Sequence, residues 1–254
     1  MEILTSKSNG VLTIEFNRPE KKNAITAAMY QSMADGLREA ENDSAVRAIL
    51  IMGKPEIFTA GNDLEDFMKN PPKKSDSPVY QFMRNLGGAS KPVVAAVSGA
   101  AVGIGTTLLL HCDLVYAAAN AKFSLPFSQL GLCPEFASSL LLPQLTGYQR
   151  AAEKLMLGEA FLAEEAREMG LVNKVLPPDQ LVAFAQAQAA KLAALPASSI
   201  RTTKRLMKGD QRAAIEAKQN EEIKYFGEML SAPEAKEAFA AFFEKRKPDF
   251  TKFS

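Results

Sequence analysis

The sequence has very little histidine and cysteine, and this scarcity excludes several kinds of site. It contains one histidine, His111, and two cysteines, Cys112 and Cys133, all within apolar sequence. One histidine and two cysteines cannot supply the usual ligand spacing of a structural zinc site. A Ser-His-Asp triad would have to use His111, which lies in an apolar segment next to the predicted core. We therefore expect two reduced, buried cysteines and no metal site.

Long apolar runs and a strong net charge are also missing. The 254 residues include 30 Lys and Arg against 29 Asp and Glu, a net charge of +1. This balance gives no overall attraction for nucleic acid or for an anionic membrane. No apolar run reaches the length of about 18 residues that a membrane span needs, and no secretory signal or peroxisomal Ser-Lys-Leu address is visible. We expect a cytoplasmic protein with neither a membrane nor a nucleic-acid partner.

Apolar patterning predicts an α/β core in the first part of the chain. Strand-like runs over 2–8 and 11–16 flank Asn9-Gly10, which is typical of a hairpin. A helix capped by Thr26 and a continuous apolar strand over 46–52 follow, so strands and helices alternate.

The second part of the chain is predicted to be helical. The composition changes near Pro177-Pro178, which predicts a core over 1–177 that holds the functional site and a helical region over 178–254. The helices of that region are rich in apolar residues and must cover either the core or another subunit. Helices are predicted over 179–194, 197–208, 211–230 and 233–246.

Two shorter segments carry further structural predictions. Residues 70–78, rich in proline, lysine and serine, should form a mobile surface loop or lid. Helical patterns over 137–142 and 149–157 are expected to be interrupted at Pro143.

Three features of the core have chemical potential. The turn Phe58-Thr59-Ala60-Gly61-Asn62-Asp63-Leu64 could present backbone N–H groups to an anion, or could be an ordinary strand-to-helix turn. The strand over Val93–Val97 is followed by Gly99, Gly103 and Gly105 at a spacing that fits neither a dinucleotide-binding nor a phosphate-binding loop. These glycines would allow a ligand to approach the backbone, or simply allow tight helix packing.

The third feature is Glu135, the only acid between Asp113 and Glu153. It could be a first-turn acid of a helix, favoured there by the helix dipole. If its carboxyl group instead faces an apolar cavity, desolvation raises its pKa and makes it a better base.

Together these segments resemble the crotonase, or enoyl-CoA hydratase/isomerase, superfamily. The resemblance runs nearly end to end and rests on four ordered matches. They are Asn17-Arg18-Pro19 with Asn23-Ala24, the turn over 58–64, the stretch from Lys91-Pro92-Val93 to Asp113, and Leu162-Ala163 with Glu165-Ala166 and Gly170-Leu171-Val172.

The resemblance implies a fold, a ligand and an assembly. The fold is an α/β spiral of ββα units with a C-terminal helical region used in trimer formation, in homotrimers or hexamers. The ligand is an acyl-CoA thioester, and no separate cofactor is implied. Two backbone N–H groups, by position those of Ala60 and Ile104, would form an oxyanion hole for the thioester carbonyl.

Departures from the family pattern indicate the reaction. Hydratases of the family hold water with two glutamates, which belong at the positions of Thr107 and Phe127 in this chain. The segment Leu125-Pro126-Phe127-Ser128 with Pro134-Glu135 is instead similar to the Δ3,Δ2-enoyl-CoA isomerase branch. The resemblance therefore implies that Glu135 is catalytic. Phe136 stands where that branch usually has glycine, so it should narrow the site or alter the backbone.

The resemblance also implies contacts for the substrate. Lys21 and Lys22 could meet the CoA phosphates, as could Lys245–Lys247 on the last helix, although both groups could equally be solvated surface charges. The predicted substrate-binding residues are Lys22, Ala24, Ala60, Gly61, Asn62, Asp63, Leu64, Phe127, Leu132 and Phe136.

The predicted activity is a shift of the double bond of 3-enoyl-CoA to trans-2-enoyl-CoA. Two alternatives stay open at this point. One is another acyl-CoA reaction of the same family, such as weak hydration, dienoyl-CoA isomerisation or thioester hydrolysis. The other is a catalytically silent acyl-CoA-binding subunit.

Overall fold

The structure, a computed structural model, describes residues 1–72 and 76–253. Its strands are β1 (Ile3–Ser8), β2 (Val11–Phe16), β3 (Ala48–Met52), β4 (Ile57–Thr59), β5 (Val93–Val97), β6 (Ala100–Val102), β7 (Leu114–Ala118), β8 (Lys122–Ser124), β9 (Phe161–Leu162) and β10 (Lys174–Leu176). Its α-helices are α1 (Ala27–Asn42), α2 (Leu64–Lys69), α3 (Pro78–Gly87), α4 (Ile104–Thr107), α5 (Ser138–Thr146), α6 (Tyr148–Ala152), α7 (Ala163–Glu168), α8 (Pro178–Ala194), α9 (Ala197–Lys208), α10 (Arg212–Leu230) and α11 (Pro233–Phe243).

The strands form two sheets. The six-stranded sheet has the order β1-β2-β3-β5-β7-β10, and the four-stranded sheet has the order β4-β6-β8-β9. The predicted hairpin at Asn9-Gly10 is confirmed, because β1 and β2 pair antiparallel with Ser8 opposite Val11. The predicted cap of α1 is also confirmed, since the Thr26 hydroxyl accepts a hydrogen bond from the Met29 amide.

Successive chain segments alternate between the two sheets. β3, β5 and β7 add in parallel to the large sheet, and β4, β6 and β8, which follow them, add in parallel to the small one. A helical segment then returns the chain to the next turn. This repeat is the spiral of ββα units expected of the fold, and it brings the loops after β4, β6 and β8 to one edge.

The helical region begins by packing on the large sheet. Leu181, Ala185 and Ala189 of α8 are buried against side chains of β3, β5 and β7, in a cluster separate from the main core. Small residues at this spacing let α8 lie close to the strands. The division at residue 177 stays a prediction, although α8 covers the sheet rather than standing apart from it.

Some predicted boundaries are corrected. The expected interruption at Pro143 is wrong, because α5 runs through that residue and ends at Thr146. A proline removes only one backbone donor, and the following turn still closes when the Gly147 amide donates to the Pro143 carbonyl. The predicted loop over 70–78 lies in part outside the described residues, at positions 73–75.

Across residues 1–72 and 76–253, no helix has the length and apolar character needed to cross a bilayer.

Candidate active site

Three loops converge at the carboxyl edge of the small sheet. β4 pairs with β6 and β6 pairs with β8, all in parallel, so the segments that leave these strands emerge side by side. They are the turn over 60–63, the turn into α4 at Gly103, and the segment from Leu125 to Glu135. All three features singled out in the sequence therefore meet at this edge.

The first two turns are pressed together, and glycine is required on both sides. Gly61 has a φ of +85°, and a Cβ there would lie 2.7 Å from the Val102 carbonyl oxygen. A Cβ on Gly105 would lie 2.5 Å from Cγ2 of Thr59. Because no real Cβ tolerates such contacts, both positions require the absence of a side chain.

The hydrogen bonds of the first turn correct one prediction. The Ala60 amide donates to the Lys22 carbonyl at 3.0 Å, so it is not available to a ligand. Its neighbours are also occupied, since the Gly61 amide donates to the Thr59 hydroxyl at 3.1 Å and the Asp63 amide to the Ile25 carbonyl at 3.0 Å. Among the described residues the Asn62 amide has no acceptor, so Asn62 replaces Ala60 as the candidate donor.

In the second turn, Ile104 stays the candidate donor. Gly103 has a φ of +55°, and its own amide donates to the Ser124 carbonyl at 2.9 Å. Ile104 is the first residue of α4, where an amide has no acceptor within the helix. The amides of Asn62 and Ile104 therefore stand on two abutting turns, each free to bind an oxygen atom.

Glu135 is a buried carboxyl group with one oxygen bound and one free. The residue is 5% exposed, and its Oε1 accepts a hydrogen bond from the Thr107 hydroxyl at 2.5 Å. Its Oε2 is buried without a partner in the described part of the chain. Burial raises the pKa of Glu135 to about 8, and the negative charge of Glu222 adds to this, whereas the Thr107 hydrogen bond opposes it.

Thr107 links Glu135 to the turn that carries the candidate donor Ile104. Thr107 lies three residues after Ile104, and residues at this spacing lie on one face of a helix, with Cβ atoms about 5–6 Å apart. The carboxyl group is therefore held about one helical turn from the free amide of Ile104.

The backbone after Glu135 has an unusual conformation, and contacts of Phe136 with His111 hold it in place. Phe136 and Ala137 have φ angles of +60° and +56°, a conformation that normally favours glycine. The Phe136 carbonyl accepts a hydrogen bond from Nε2 of His111 at 2.8 Å, and the two rings stack with centroids 3.8 Å apart. Burial lowers the pKa of His111 to about 3, so the ring is neutral and structural.

These contacts correct the expectation that Phe136 lines the substrate site. Its side chain is fully buried in the core against His111 and Phe82. The backbone keeps a left-handed conformation that suits glycine, and the phenyl ring fills space behind the loop. Phe136 therefore does not narrow the cavity.

A cavity of about 570 Å³ lies in front of the two turns. It contacts both turns and the predicted residues Phe127 and Leu132, and side chains of α10 and α11 close its far side. Glu135 is buried and is not among the lining residues. The lining residues are Lys21, Lys22, Ala24, Ala60, Gly61, Asn62, Asp63, Leu64, Glu65, Phe67, Val102, Gly103, Ile104, Pro126, Phe127, Gln129, Leu130, Leu132, Phe226, Phe239, Phe242 and Phe243.

Charged residues near the cavity have different roles. Lys21 and Lys22 are exposed at its edge. Asp63 caps α2 by accepting from the Asp66 amide, and it pairs with Arg18 at 2.7 Å, so its carboxylate is already occupied. Arg246 is bound to Glu237 and Glu244, and neither it nor its neighbours Lys245 and Lys247 line the cavity. The predicted contact of these basic residues with the CoA phosphates therefore stays a prediction.

Sequence reasoning missed several parts of the site. Phenylalanines at 239, 242 and 243 recur at helical spacing and could have been predicted to form one face. Nothing in the sequence indicates that Glu222 of α10 reaches the Glu135 loop, or that the Tyr30 hydroxyl donates to Oδ1 of Asn62 at 2.5 Å. These contacts depend on tertiary packing alone.

Comparison with known proteins identifies the family. A family model described as enoyl-CoA hydratase/isomerase matches residues 6–252. The 1,2-epoxyphenylacetyl-CoA isomerase of Escherichia coli (strain K12) is 34% identical over 98% of both chains. Enoyl-CoA delta isomerase 2 of Rattus norvegicus is 37% identical over 87% of this chain and 58% of its own length.

A solved structure agrees with this identification. The crystal structure of an enoyl-CoA hydratase/isomerase from Pseudoalteromonas atlantica T6c superimposes with a TM-score of 0.95 at 40% identity, covering 99% of this chain and 100% of that one. The chain therefore belongs to the enoyl-CoA hydratase/isomerase family and has the crotonase fold. It is an enzyme of acyl-CoA metabolism.

Proposed function

We propose that this enzyme moves the double bond of a 3-enoyl-CoA to give the trans-2-enoyl-CoA. The observation that carries the proposal is the state of Glu135, a buried carboxyl group hydrogen-bonded to the helix that begins at the candidate oxyanion donor Ile104. One of its oxygens is fixed by Thr107, and the other is buried without a partner. A carboxyl group with one unengaged oxygen and a raised pKa is suited to accept and return a proton.

The reaction begins when the thioester oxygen binds the amides of Asn62 and Ile104. These donors stabilise negative charge on that oxygen and so acidify the C2–H bond. Oε2 of Glu135 accepts the proton from C2, and the electron pair of the broken bond is delocalised over C2, C3, C4 and the thioester carbonyl. The neutral carboxyl group then gives the proton to C4, which leaves a double bond between C2 and C3 and regenerates the carboxylate.

Hydration is disfavoured by the side chains at two positions. Thr107 and Phe127 stand where family hydratases carry the glutamates that hold water. Thr107 donates to Glu135, and Phe127 contributes an apolar surface to the cavity. The remaining lining acids are Asp63, which is paired with Arg18, and the exposed Glu65. The described lining residues therefore offer no unpaired buried carboxylate that could help Glu135 to activate water.

Other residues of the cavity match the coenzyme A part and the acyl chain of the substrate. We propose that Lys21 and Lys22 meet the phosphates of coenzyme A and that the phenylalanines of α2, α10 and α11 surround the acyl chain. Proton transfer and oxyanion binding are all that the reaction requires, so coenzyme A enters only as part of the substrate.

The proposal is tested by offering 3-enoyl-CoA and 2-enoyl-CoA separately to the wild-type enzyme and to Glu135→Gln. We expect rapid conversion of the first, little hydration of the second, and a loss of about 10³-fold or more in kcat in the variant. Full activity in Glu135→Gln would refute the assignment of the base. Rapid hydration of 2-enoyl-CoA would favour a hydratase, and tight binding without turnover would favour a silent acyl-CoA-binding subunit.

A further inference from the structure

A second buried glutamate, Glu222, lies directly behind the Glu135 loop. It comes from the middle of α10 and is 5% exposed. Its Oε2 accepts from the Ala137 amide at 2.5 Å, and its Oε1 accepts from the Ser139 amide at 3.0 Å and from the Ser139 hydroxyl at 2.5 Å. One side chain from the C-terminal helical region thus holds both ends of the turn that follows Glu135.

The protonation state of Glu222 follows from its partners. Both amides can only donate, and they occupy one oxygen each. Burial raises the pKa of Glu222, whereas the hydrogen bonds donated by the Ser139 hydroxyl and by the Ser139 and Ala137 amides favour the anion. Three donated hydrogen bonds, rather than an ion pair, thus stabilise a negative charge on Glu222.

A purely structural role would be a helix cap. Ala137 is the N-cap residue of α5 and has no side chain that could accept from the first turn, so Glu222 supplies that acceptor from another helix. Capping alone, however, would be achieved by a neutral acceptor. A simple cap would also give no reason for the capped residue, Ala137, to lie only two residues after Glu135.

We propose that Glu222 is a positioning residue for the reaction, which fixes the left-handed Phe136–Ala137 turn and keeps a negative charge behind Glu135. The inference rests on the proposed role of Glu135 and deepens it. The turn is held from one side by His111, which binds the Phe136 carbonyl, and from the other by Glu222, which binds the next amide. The Ser138 amide in turn donates to the Glu135 carbonyl at 3.1 Å. The hydrogen bonds of Glu222 to this turn therefore also help to fix the backbone position of Glu135, the proposed base.

The charge of Glu222 gives the proposal a measurable consequence. A negative charge on Glu222 disfavours a second negative charge on Glu135, and so contributes to the raised pKa of Glu135. The other titratable groups that face the pair are Tyr30, Tyr80 and Cys133, whose pKa values are all raised so that they stay neutral. Lys218, on α10, is paired with Glu221.

The test compares Glu222→Gln with Glu216→Gln, which removes the same charge at an exposed position of the same helix. In Glu222→Gln we expect the acid limb of kcat/KM to move to lower pH, because the pKa of Glu135 falls when the neighbouring charge is removed. We also expect kcat to fall about tenfold with little change in KM, since the base is misplaced while the binding surface stays intact. Glu216→Gln should change neither quantity.

A direct titration of Glu135 keeps the test independent of activity. The infrared carbonyl band of its protonated carboxyl group, assigned by its absence in Glu135→Gln, should titrate at lower pH in Glu222→Gln. If the wild-type enzyme shows no isomerase activity, the proposed function fails and this titration alone decides on Glu222. If Glu222→Gln changes neither the titration of Glu135 nor the acid limb of kcat/KM, and only lowers the melting temperature, the proposal is overturned. Glu222 would then act only as a helix cap.

A milder variant covers the case in which Glu222→Gln does not fold. Ser139→Ala removes one of the three donors and keeps both the charge and the two amide bonds. We expect a loss of about threefold to tenfold in kcat at constant KM. An unchanged kcat in this variant would count against a positioning role.

Discussion

In the proposed reaction, the two oxygens of Glu135 have different roles. Oε1 is fixed by the Thr107 hydroxyl, and Oε2 is buried without a partner in the described structure. Burial raises the pKa of the carboxyl group to about 8. The base must be ionised to accept the proton from C2, so kcat/KM should rise with pH, reach half of its maximum near pH 8 and level off at higher pH.

Replacing Thr107 with valine tests the role of the bound oxygen. The hydroxyl donates to the carboxylate and so favours the ionised form, and its loss should raise the pKa of Glu135 further. We expect the acid limb of kcat/KM to shift to higher pH by about one unit, which is a loss of about tenfold at pH 7.

The matched control for this variant is Thr106→Val. Its hydroxyl is also buried but donates to the Ala101 carbonyl at 2.6 Å rather than to the base. This variant should lose a similar hydrogen bond without moving the acid limb. A limb that stays in place in Thr107→Val, or moves to lower pH, would contradict the role assigned to Thr107.

At the scale of elements, the site depends on the close approach of the turns after β4 and β6. Thr59 accepts from the Gly61 amide and donates to the Asn23 carbonyl, so its side chain is fixed in the contact that Gly105 makes with it. The amides of Asn62 and Ile104 are thereby held at a fixed distance and orientation relative to each other. A change on one turn should therefore be transmitted to the other.

Gly105→Ala tests this coupling. The new Cβ would lie 2.5 Å from Cγ2 of Thr59, which cannot move without breaking its hydrogen bonds. We expect kcat to fall at least tenfold, because the two oxyanion donors are displaced from each other. The control is Gly209→Ala, where a Cβ meets nothing within 4 Å and activity should be unchanged. Equal activity in both variants would show that the turns need not abut.

The sequence predicts elements and residue types better than it predicts contacts. The Asn9-Gly10 hairpin and the Thr26 cap depend on local chemistry, and both are confirmed. The assignment of Ala60 as an oxyanion donor is wrong because the Lys22 carbonyl occupies its amide, a partner that only the folded chain brings near. The reach of Glu222 across from α10 has the same origin.

Phe136 is a second residue whose contacts could not be predicted from the sequence. The glycine preference of the position could be inferred from family resemblance, and the backbone there does adopt a positive φ. Where the ring would go could not be inferred, because its stacking on His111 depends on packing of segments that are distant in sequence. For Glu135 the sequence left two alternatives, a first-turn helix acid and an acid in an apolar cavity with a raised pKa, and the structure shows the buried residue with the raised pKa.

At the scale of the whole molecule, the C-terminal helices have both a buried and an unpartnered side. Phe226, Phe239, Phe242 and Phe243 line the cavity from α10 and α11. Large apolar side chains are also exposed elsewhere on α9 and α10, including Leu206 at 75%, Met207 at 67% and Tyr225 at 49%. Exposed apolar patches of this kind mark association surfaces.

We propose that these side chains take part in a homotrimer, which could assemble further into a hexamer. Light scattering of the wild-type enzyme should give the mass of a trimer or hexamer. The double variant Leu206→Glu with Met207→Glu should give a smaller species at the same concentration, because charged groups cannot be buried without partners. A monomeric wild-type enzyme would contradict the proposal.

The central claim is that one buried carboxyl group carries the proton from C2 to C4. Its most direct test is a single turnover of 3-enoyl-CoA deuterated at C2, in ordinary water, with the product analysed by mass spectrometry. Because Oε2 of Glu135 is shielded from solvent, we expect a substantial part of the deuterium to appear at C4. Complete loss of the label to water, with C4 protonated only from solvent, would contradict the account.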